Sequence, residues 1–69
     1  MKIHEKLKYL RIKNGYTQAE VAHAIASSRT NYVYCEQGRY SLSVHYLKRI
    51  CLFYNIPYDW LIDDDIEII

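Results

Sequence analysis

Apolar residues recur at intervals of three and four along most of this chain, which is the spacing of an amphipathic helix. The clearest apolar stripe predicts a helix that begins near Ser43; its members are Val44, Leu47, Ile50, Cys51 and Tyr54. A first helix is predicted over about residues 3–14, and its stripe consists of Ile3, Leu7 and Leu10. Four lysines fall outside that stripe, namely Lys2, Lys6, Lys8 and Lys13.

A capping pattern predicts a second, shorter helix. The residues Thr-Gln-Ala-Glu at 17–20 are typical of a capping box. In this arrangement the Thr17 hydroxyl accepts a bond from the Glu20 amide, and the Glu20 carboxylate reaches back to the start of the helix. The helix is predicted to run to about Ala26, with one apolar face formed by Val21, Ala22 and Ile25.

A third helix is predicted to follow after a turn of only a few residues. Ser28 is a candidate N-cap, and the helix would carry residues 29–37 and end at Gly38. Its inner face would comprise Tyr32, Cys35 and Glu36. Its outer face would comprise Arg29, Thr30, Val33 and Tyr34.

The last predicted helix is short and lies near the C-terminal end of the chain. Asn55 can end the fourth helix in a left-handed conformation, and Pro57 suits the first turn of a helix that runs through residue 62. Two glycines and one proline are few for the number of tight turns that a β fold needs. We therefore predict an all-α, compact five-helix domain over residues 1–62 and an acidic, apolar tail over residues 63–69.

Charge is divided unevenly between these two parts. The chain has 69 residues and a net charge of +1, but all nine Lys and Arg lie within residues 1–62. That part holds four acids, so its charge is 9 − 4 = +5, and the last seven residues hold the other four acids. A basic body is compatible with binding to nucleic acid, and equally with a solvated surface of mixed charge.

Several classes of protein do not fit this composition. Two cysteines are too few for a disulfide scaffold, which favours a cytoplasmic location, and Cys35 and Cys51 are most simply core residues, with a redox pair as the alternative. No apolar run approaches the roughly 18 residues that span a bilayer, so no membrane association is expected. Neither the His/Cys nor the carboxylate spacing matches a metal or catalytic site. We predict no enzymatic activity, no metal and no cofactor.

The second and third helices, joined by about three residues, have the size of a helix-turn-helix. An ordered set of motifs strengthens this interpretation: Leu10-Arg11, then 17–22 (Thr-Gln-Ala-Glu-Val-Ala), then Ser28 and Glu36-x-Gly38, then Leu47, Ile50, 55–57 (Asn-Ile-Pro) and 59–61 (Asp-Trp-Leu). On these residues the chain resembles the lambda repressor/Cro-like (XRE-type) DNA-binding domains from about Leu7 to Ile62. The resemblance implies a lambda repressor-like fold that binds double-stranded DNA.

The resemblance also implies roles for individual residues. The third helix would be the recognition helix, and its candidate base contacts are Arg29, Thr30, Val33 and Tyr34. The candidate contacts to the DNA backbone are Gln18, Ser28, Asn31, Arg39 and Tyr40. Arg11 and Glu36 occupy positions where relatives hold an ion pair that ties the first helix to the third.

One departure from the family concerns the turn between the second and third helices. Relatives usually carry glycine there, whereas this chain carries Ala26-Ser27. Alanine in a left-handed conformation costs on the order of 1 kcal/mol. The turn is therefore expected to be slightly strained or slightly altered.

The family resemblance further implies a homodimer formed around the last helix. The candidate interface residues are Leu52, Tyr58 and Leu61. Three tail residues could exchange onto a partner subunit or simply fray: Ile66, Ile68 and Ile69. A two-fold dimer would place two recognition helices one DNA turn apart, about 34 Å.

We therefore predict a transcription regulator that binds a palindromic operator as a homodimer and represses by occupancy. The alternative is a protein–protein interaction module, or an antitoxin-type partner, that uses the same fold. Outward Val33 and Tyr34 and the modest net charge support that alternative.

Overall fold

Five α-helices make up most of the part of the chain that the computed structural model describes, residues 1–65. They are α1 (Ile3–Lys13), α2 (Gln18–Ala24), α3 (Arg29–Glu36), α4 (Val44–Tyr54) and α5 (Tyr58–Ile62). Within residues 1–65 there is no strand, so the all-α prediction is confirmed. The predictions for Ile66, Ile68 and Ile69 lie outside the described residues.

Local hydrogen bonds explain where α2 and α3 begin. The Glu20 amide donates to the Thr17 hydroxyl over 3.1 Å, and the Thr17 amide donates to the Glu20 carboxylate over 2.8 Å. The Ser28 hydroxyl accepts from the Asn31 amide over 3.1 Å. The predicted capping box of α2 and the predicted N-cap of α3 are therefore confirmed, and each satisfies an amide that a helix start leaves unpaired.

The core is a single cluster to which all five helices contribute. Its fully buried members include Leu7, Val21, Ile25, Tyr32, Ile50 and Leu61. The stripe on α4 is confirmed for Leu47, Ile50 and Cys51, which are buried. Val44 was expected in the same stripe but is 55% exposed, because it stands in the first turn of α4 at the edge of the core.

Lys6 differs from its prediction. It falls outside the apolar stripe of α1, yet it is fully buried. Its ammonium donates to the carbonyl oxygens of Trp60 over 2.7 Å and Asp63 over 2.6 Å, and lies 3.4 Å from that of Leu61. Because the last carbonyls of a helix have no partner within the helix, a buried cation there caps α5 and ties it to α1.

We predict that Lys6→Met destabilises the fold by about 2–3 kcal/mol. Methionine keeps the apolar stem but leaves the carbonyls at the end of α5 without a donor in a buried place. Lys8→Met is the matched control, since Lys8 is exposed on the same helix, and it should change stability by less than about 0.5 kcal/mol. Urea unfolding of both variants measures the difference; equal stabilities would contradict the capping role.

None of the helices within residues 1–65 has the length and apolar character that a membrane span requires.

Candidate nucleic-acid interface

The outward face of α3 is determined by which of its side chains enter the core. The buried set is the one that the sequence predicts, namely Tyr32, Cys35 and Glu36. Arg29 and Thr30 therefore project to the opposite side at the start of the helix, and both are exposed. Val33 and Tyr34 are half-buried.

The turn between α2 and α3 sets the angle at which α3 is presented. Ala26 adopts a left-handed conformation with φ of 57°, as its position in the turn predicts, and α2 ends at Ala24, two residues before the predicted end. The Arg49 guanidinium donates to the Ile25 carbonyl over 2.9 Å and so caps the end of α2 from α4. No local pattern indicates this cap, because the two residues are 24 positions apart.

We predict that Ala26→Gly stabilises the protein by about 0.5–1 kcal/mol. Glycine adopts the left-handed conformation without the steric cost that alanine pays, and this gain exceeds the extra entropy of the unfolded chain. Ala24→Gly is the control, because Ala24 is exposed on the helical side of the same turn. That change should destabilise by about 0.5–1 kcal/mol. Opposite signs in urea unfolding are expected, and destabilisation by both would contradict the strained turn.

The start of α3 carries a group of polar side chains. Asn31 is half-buried, and its side-chain amide donates to the Ser27 hydroxyl over 3.3 Å. The Ser28 hydroxyl accepts from the Asn31 amide and keeps its own hydrogen available to a further acceptor. Arg29 and Thr30 make no side-chain hydrogen bond or ion pair within residues 1–65. These two side chains are therefore free to contact a ligand.

The segment after α3 turns back onto the helix. Gly38 has φ of 80°, which lets the Arg39 amide donate to the Tyr34 carbonyl over 2.9 Å. The Tyr34 and Tyr40 rings meet edge to face at 5.3 Å, and the Arg39 guanidinium carbon lies 5.2 Å from the Tyr34 ring. Tyr34, Arg39 and Tyr40 thus form one cluster at the end of α3.

The four arginines of the chain fall into two pairs. Arg11 and Arg49 use their guanidinium donors internally, on the Glu36 carboxylate and the Ile25 carbonyl respectively. Arg29 and Arg39 donate no hydrogen bond from their side chains to any described residue. The two arginines with free donors therefore stand at the two ends of α3.

Negative charge is nearly absent from this part of the molecule. Between Glu20 and Asp59 the sequence contains a single acidic residue, Glu36. That side chain is only 3% exposed and is paired with Arg11. The outward surface of α3 and its flanking segments therefore carries no carboxylate that would repel a polyanion.

The pair formed by Arg11 and Glu36 joins α1 to α3. Arg11 Nη2 lies 2.7 Å from Glu36 Oε1, and Arg11 Nε lies 2.9 Å from Glu36 Oε2, which gives two parallel bonds. Burial alone would raise the pKa of the Glu36 carboxyl, but the hydrogen bonds and positive charge of Arg11, together with Tyr32 and Gln18, outweigh burial and hold that pKa below its usual range. Hydrogen bonding to Glu36 likewise raises the pKa of Arg11.

Gln18, the first residue of α2, lies beside this pair. Its side-chain nitrogen is 3.5 Å from Glu36 Oε1, and the side chain is half-buried. Arg11 Nη1 also donates to the Tyr16 carbonyl over 3.2 Å, just before α2 begins. Glu36 thus fixes α1, the start of α2 and α3 relative to one another, a role wider than the two-helix link that the sequence implies.

The two cysteines have the environment of core residues. Cys35 and Cys51 are buried and carry free thiols. Burial raises the pKa of both thiols. Since the thiolate is the reactive form, this environment disfavours redox chemistry at either position.

The predicted dimer residues divide between surface and interior. Leu52 is 82% exposed, and Tyr58 is half-buried. Leu61 is fully buried in the core of its own chain, so its assignment to a dimer surface is wrong. Leu61 belongs to the core cluster, and Lys6 ties the end of the same helix to α1.

Two shallow hollows flank Leu52. One has a volume of about 380 Å³ and is lined by Ala24, Ile25, Ala26, Arg49, Leu52 and Phe53. The other has a volume of about 360 Å³ and is lined by Lys48, Cys51, Leu52, Asn55, Ile56 and Tyr58. An exposed apolar side chain therefore stands between two partly apolar depressions.

Within residues 1–65, no cluster of three or more His, Cys, Asp or Glu side chains is arranged to hold a metal ion.

Two short helices that pack against each other, α2 and α3, define the molecule as a helix-turn-helix protein, and the second presents exposed cationic and polar side chains. The family model described as helix-turn-helix (HTH_3) matches residues 7–61. The chain therefore belongs to this helix-turn-helix family of lambda repressor/Cro-like DNA-binding transcription regulators, as the motifs predict. No curated protein and no solved structure is significantly similar to it.

Proposed function

We propose that the protein binds double-stranded DNA in a sequence-specific manner by placing α3 in the major groove. The observation that supports this most strongly is a pair of arginines with unused hydrogen-bond donors, Arg29 at the start of α3 and Arg39 in the segment just after it. The absence of any exposed acid between Glu20 and Asp59 is consistent with a polyanionic ligand. DNA recognition of this kind needs two kinds of contact, because contacts to phosphates supply affinity and contacts to base edges supply specificity.

The start of α3 is the proposed site of base recognition. Arg29 would donate two bonds to O6 and N7 of guanine, the commonest specific contact in the major groove. Thr30 would contact a base edge through its hydroxyl or a thymine through its methyl group. Val33, one turn further on, would pack against a thymine methyl. These roles are supported by the exposure of Arg29 and Thr30 and by the half-buried position of Val33 on the outward side of α3.

The proposed backbone contacts surround α3. Arg39 and Tyr40 would reach one phosphate from the segment after the helix, while Ser28 and Asn31 would reach another from its first turn. Gln18 would contact a phosphate from the start of α2, with Glu36 limiting its orientation.

Salt dependence of binding tests the DNA-binding proposal without knowledge of the operator. The titrated probe is a labelled duplex of mixed sequence, and anisotropy gives affinity between 50 and 200 mM NaCl. Each neutralised phosphate contributes about 0.9 to the slope of log affinity against log salt. We expect affinity to fall at least about tenfold over this range. Absence of binding at 50 mM NaCl by folded protein would overturn the proposal and favour the protein-interaction alternative.

We further propose that the protein acts as a homodimer through the surface around Leu52. A knob that stands beside hollows on the same surface can insert into a second copy while receiving that copy's knob, as a two-fold interface requires. Leu52 is 82% exposed, so contact with a second copy would remove apolar surface from water. Two subunits would then present two copies of α3 to a palindromic operator.

Sedimentation of Leu52→Glu tests this interface. The substitution places a charge in the centre of the contact, and we expect a monomer at concentrations where the unmodified protein is dimeric. Val44→Glu is the control, since Val44 is a second exposed apolar residue on α4, about 12 Å away along the helix. A dimer that survives Leu52→Glu but not Val44→Glu would place the interface elsewhere.

Repression by occupancy is the proposed regulatory outcome. A dimer bound over a promoter excludes polymerase sterically. A reporter placed behind an operator obtained by selection from random DNA should therefore lose expression when the protein is produced, and increased expression would contradict repression.

A further inference from the structure

We propose that Tyr34 is a positioning residue, which holds Arg39 and Tyr40 where they can receive a DNA phosphate. The inference rests on the DNA-binding function proposed above and deepens it. It also replaces the base contact that the family resemblance suggests for Tyr34. Tyr34, Arg39 and Tyr40 form the cluster at the end of α3 that is responsible for this role.

The backbone brings the three residues together. The Gly38 amide donates to the Cys35 carbonyl over 3.1 Å, and the Arg39 amide donates to the Tyr34 carbonyl over 2.9 Å. Together with the left-handed Gly38, these bonds form a Schellman motif, which folds the chain back over the last turn of the helix. A Cβ at Gly38 would lie 3.1 Å from the His4 ring, so the position has little room for another residue.

The Tyr34 ring then has two neighbours, the Tyr40 ring and the Arg39 guanidinium. The Tyr40 ring meets it edge to face, with centroids 5.3 Å apart and planes at 89°, which is a favourable aromatic geometry. The Arg39 guanidinium carbon lies 5.2 Å from the centre of the same ring, within the range of a cation–π contact. A ring that is half-buried and held in this way has little surface left for a base.

A guanidinium held over a ring keeps its hydrogen-bond donors. The donors lie in the plane of the group, whereas the contact with an aromatic ring uses its charge and its face. Consistent with this, the Arg39 side chain donates to no other described residue, unlike those of Arg11 and Arg49. The ring therefore restricts where Arg39 can move without using the donors that a phosphate would accept from.

Pre-organisation explains why this arrangement matters for binding. An exposed arginine loses side-chain freedom when it binds a phosphate, and a ring that restricts it beforehand reduces that loss. The Tyr34 hydroxyl takes part in neither contact, since both are made by the ring. Phenylalanine at position 34 should therefore perform the same role as tyrosine, whereas a residue without a ring should not.

The test compares Tyr34→Phe, Tyr34→Leu and Arg39→Gln on a selected operator and on its single-base variants. We expect Tyr34→Phe to bind within twofold of the unmodified protein. Tyr34→Leu, which keeps an apolar side chain in the half-buried place, should bind all duplexes three- to tenfold more weakly and leave base preference unchanged. Arg39→Gln should reduce the salt slope by about one, and adding Tyr34→Leu to it should cause less than a twofold further loss.

Three results would overturn the inference. A change of base preference in Tyr34→Leu would make Tyr34 a base contact. A loss in Tyr34→Phe equal to that in Tyr34→Leu would assign the role to the hydroxyl. If the losses of binding free energy caused by Tyr34→Leu and Arg39→Gln added fully in the double variant, the two residues would act independently.

A measurement without DNA distinguishes failure of the cluster from failure of the proposed function. Ring currents of Tyr34 should shift the Arg39 side-chain protons upfield in the NMR spectrum of the free protein, and the shift should persist in Tyr34→Phe and disappear in Tyr34→Leu. Absence of this shift would overturn the inference alone. Absence of DNA binding by protein that shows the shift would overturn the proposed function, and with it the role of the cluster in binding.

Discussion

Glu36→Ala should destabilise the protein by about 3–5 kcal/mol, the range expected when one partner of a buried ion pair is removed. The Glu36 side chain is 3% exposed and accepts three short bonds from Arg11, between 2.7 and 3.1 Å. Its loss leaves a guanidinium that is partly buried and uncompensated between α1 and α3. For a domain of this size the change is a large fraction of the whole stability. Urea unfolding, with sucrose added if the variant is largely unfolded, measures it.

Two further variants distinguish the loss of the buried ion pair from the loss of an exposed carboxylate. Asp65→Ala removes an exposed acid and should change stability by less than about 0.5 kcal/mol. Arg11→Met combined with Glu36→Leu removes both charges and should recover much of what Glu36→Ala loses, since no buried charge remains. A loss below about 1 kcal/mol in Glu36→Ala would contradict the central place of this pair in the fold.

The same pair predicts how stability depends on pH. The pKa of Glu36 is lower in the folded protein than its ordinary value of 4.5. The unfolded chain therefore binds a proton more readily, and stability is lost as the pH falls. The contribution of Glu36 should be complete above about pH 5 and should decline below pH 4.5 towards the folded pKa. The combined Arg11→Met and Glu36→Leu variant should decline less over that interval.

Arg29→Ala is expected to have the largest effect on DNA recognition. Each bidentate contact to guanine contributes about 1–3 kcal/mol of discrimination, so affinity for the selected operator should fall roughly fivefold to 150-fold for each half-site. Preference at one base position should relax, because the base that Arg29 contacts is no longer distinguished. Binding to single-base variants of the operator measures both effects.

Lys8→Ala is the charge-matched control for Arg29→Ala. It also removes one exposed positive charge, but from α1 instead of α3. We expect Lys8→Ala to lower affinity slightly, if at all, and equally for all sequences. Equal losses on every sequence for Arg29→Ala would show that Arg29 contacts the backbone and not a base.

The local elements of this fold could be predicted from the sequence because their causes are local. The capping box of Thr17 and Glu20 and the N-cap Ser28 act over three residues. The left-handed Asn55, with φ of 56° and ψ of 52°, ends α4 where expected. The inner face of α3 follows from helical spacing, which in turn gives the exposure of Arg29 and Thr30.

The features that the sequence did not predict depend on contacts between distant residues. Lys6 is buried because the carbonyls of α5, more than 50 positions away, need a donor. Leu61 is buried for the related reason that α5 is held against α1. The partners of Tyr34 depend on the return of the chain at Gly38, which helical spacing within α3 cannot indicate.

Selection of bound duplexes from a random DNA pool at physiological salt tests the central proposal most directly. We predict enrichment of an inverted repeat whose half-sites lie about one helical turn apart, roughly 34 Å, each with a guanine at the position of Arg29. Arg29→Ala, selected in parallel, should lose that guanine and retain the spacing. Recovery of no enriched sequence by folded, dimeric protein would contradict sequence-specific DNA binding by α3.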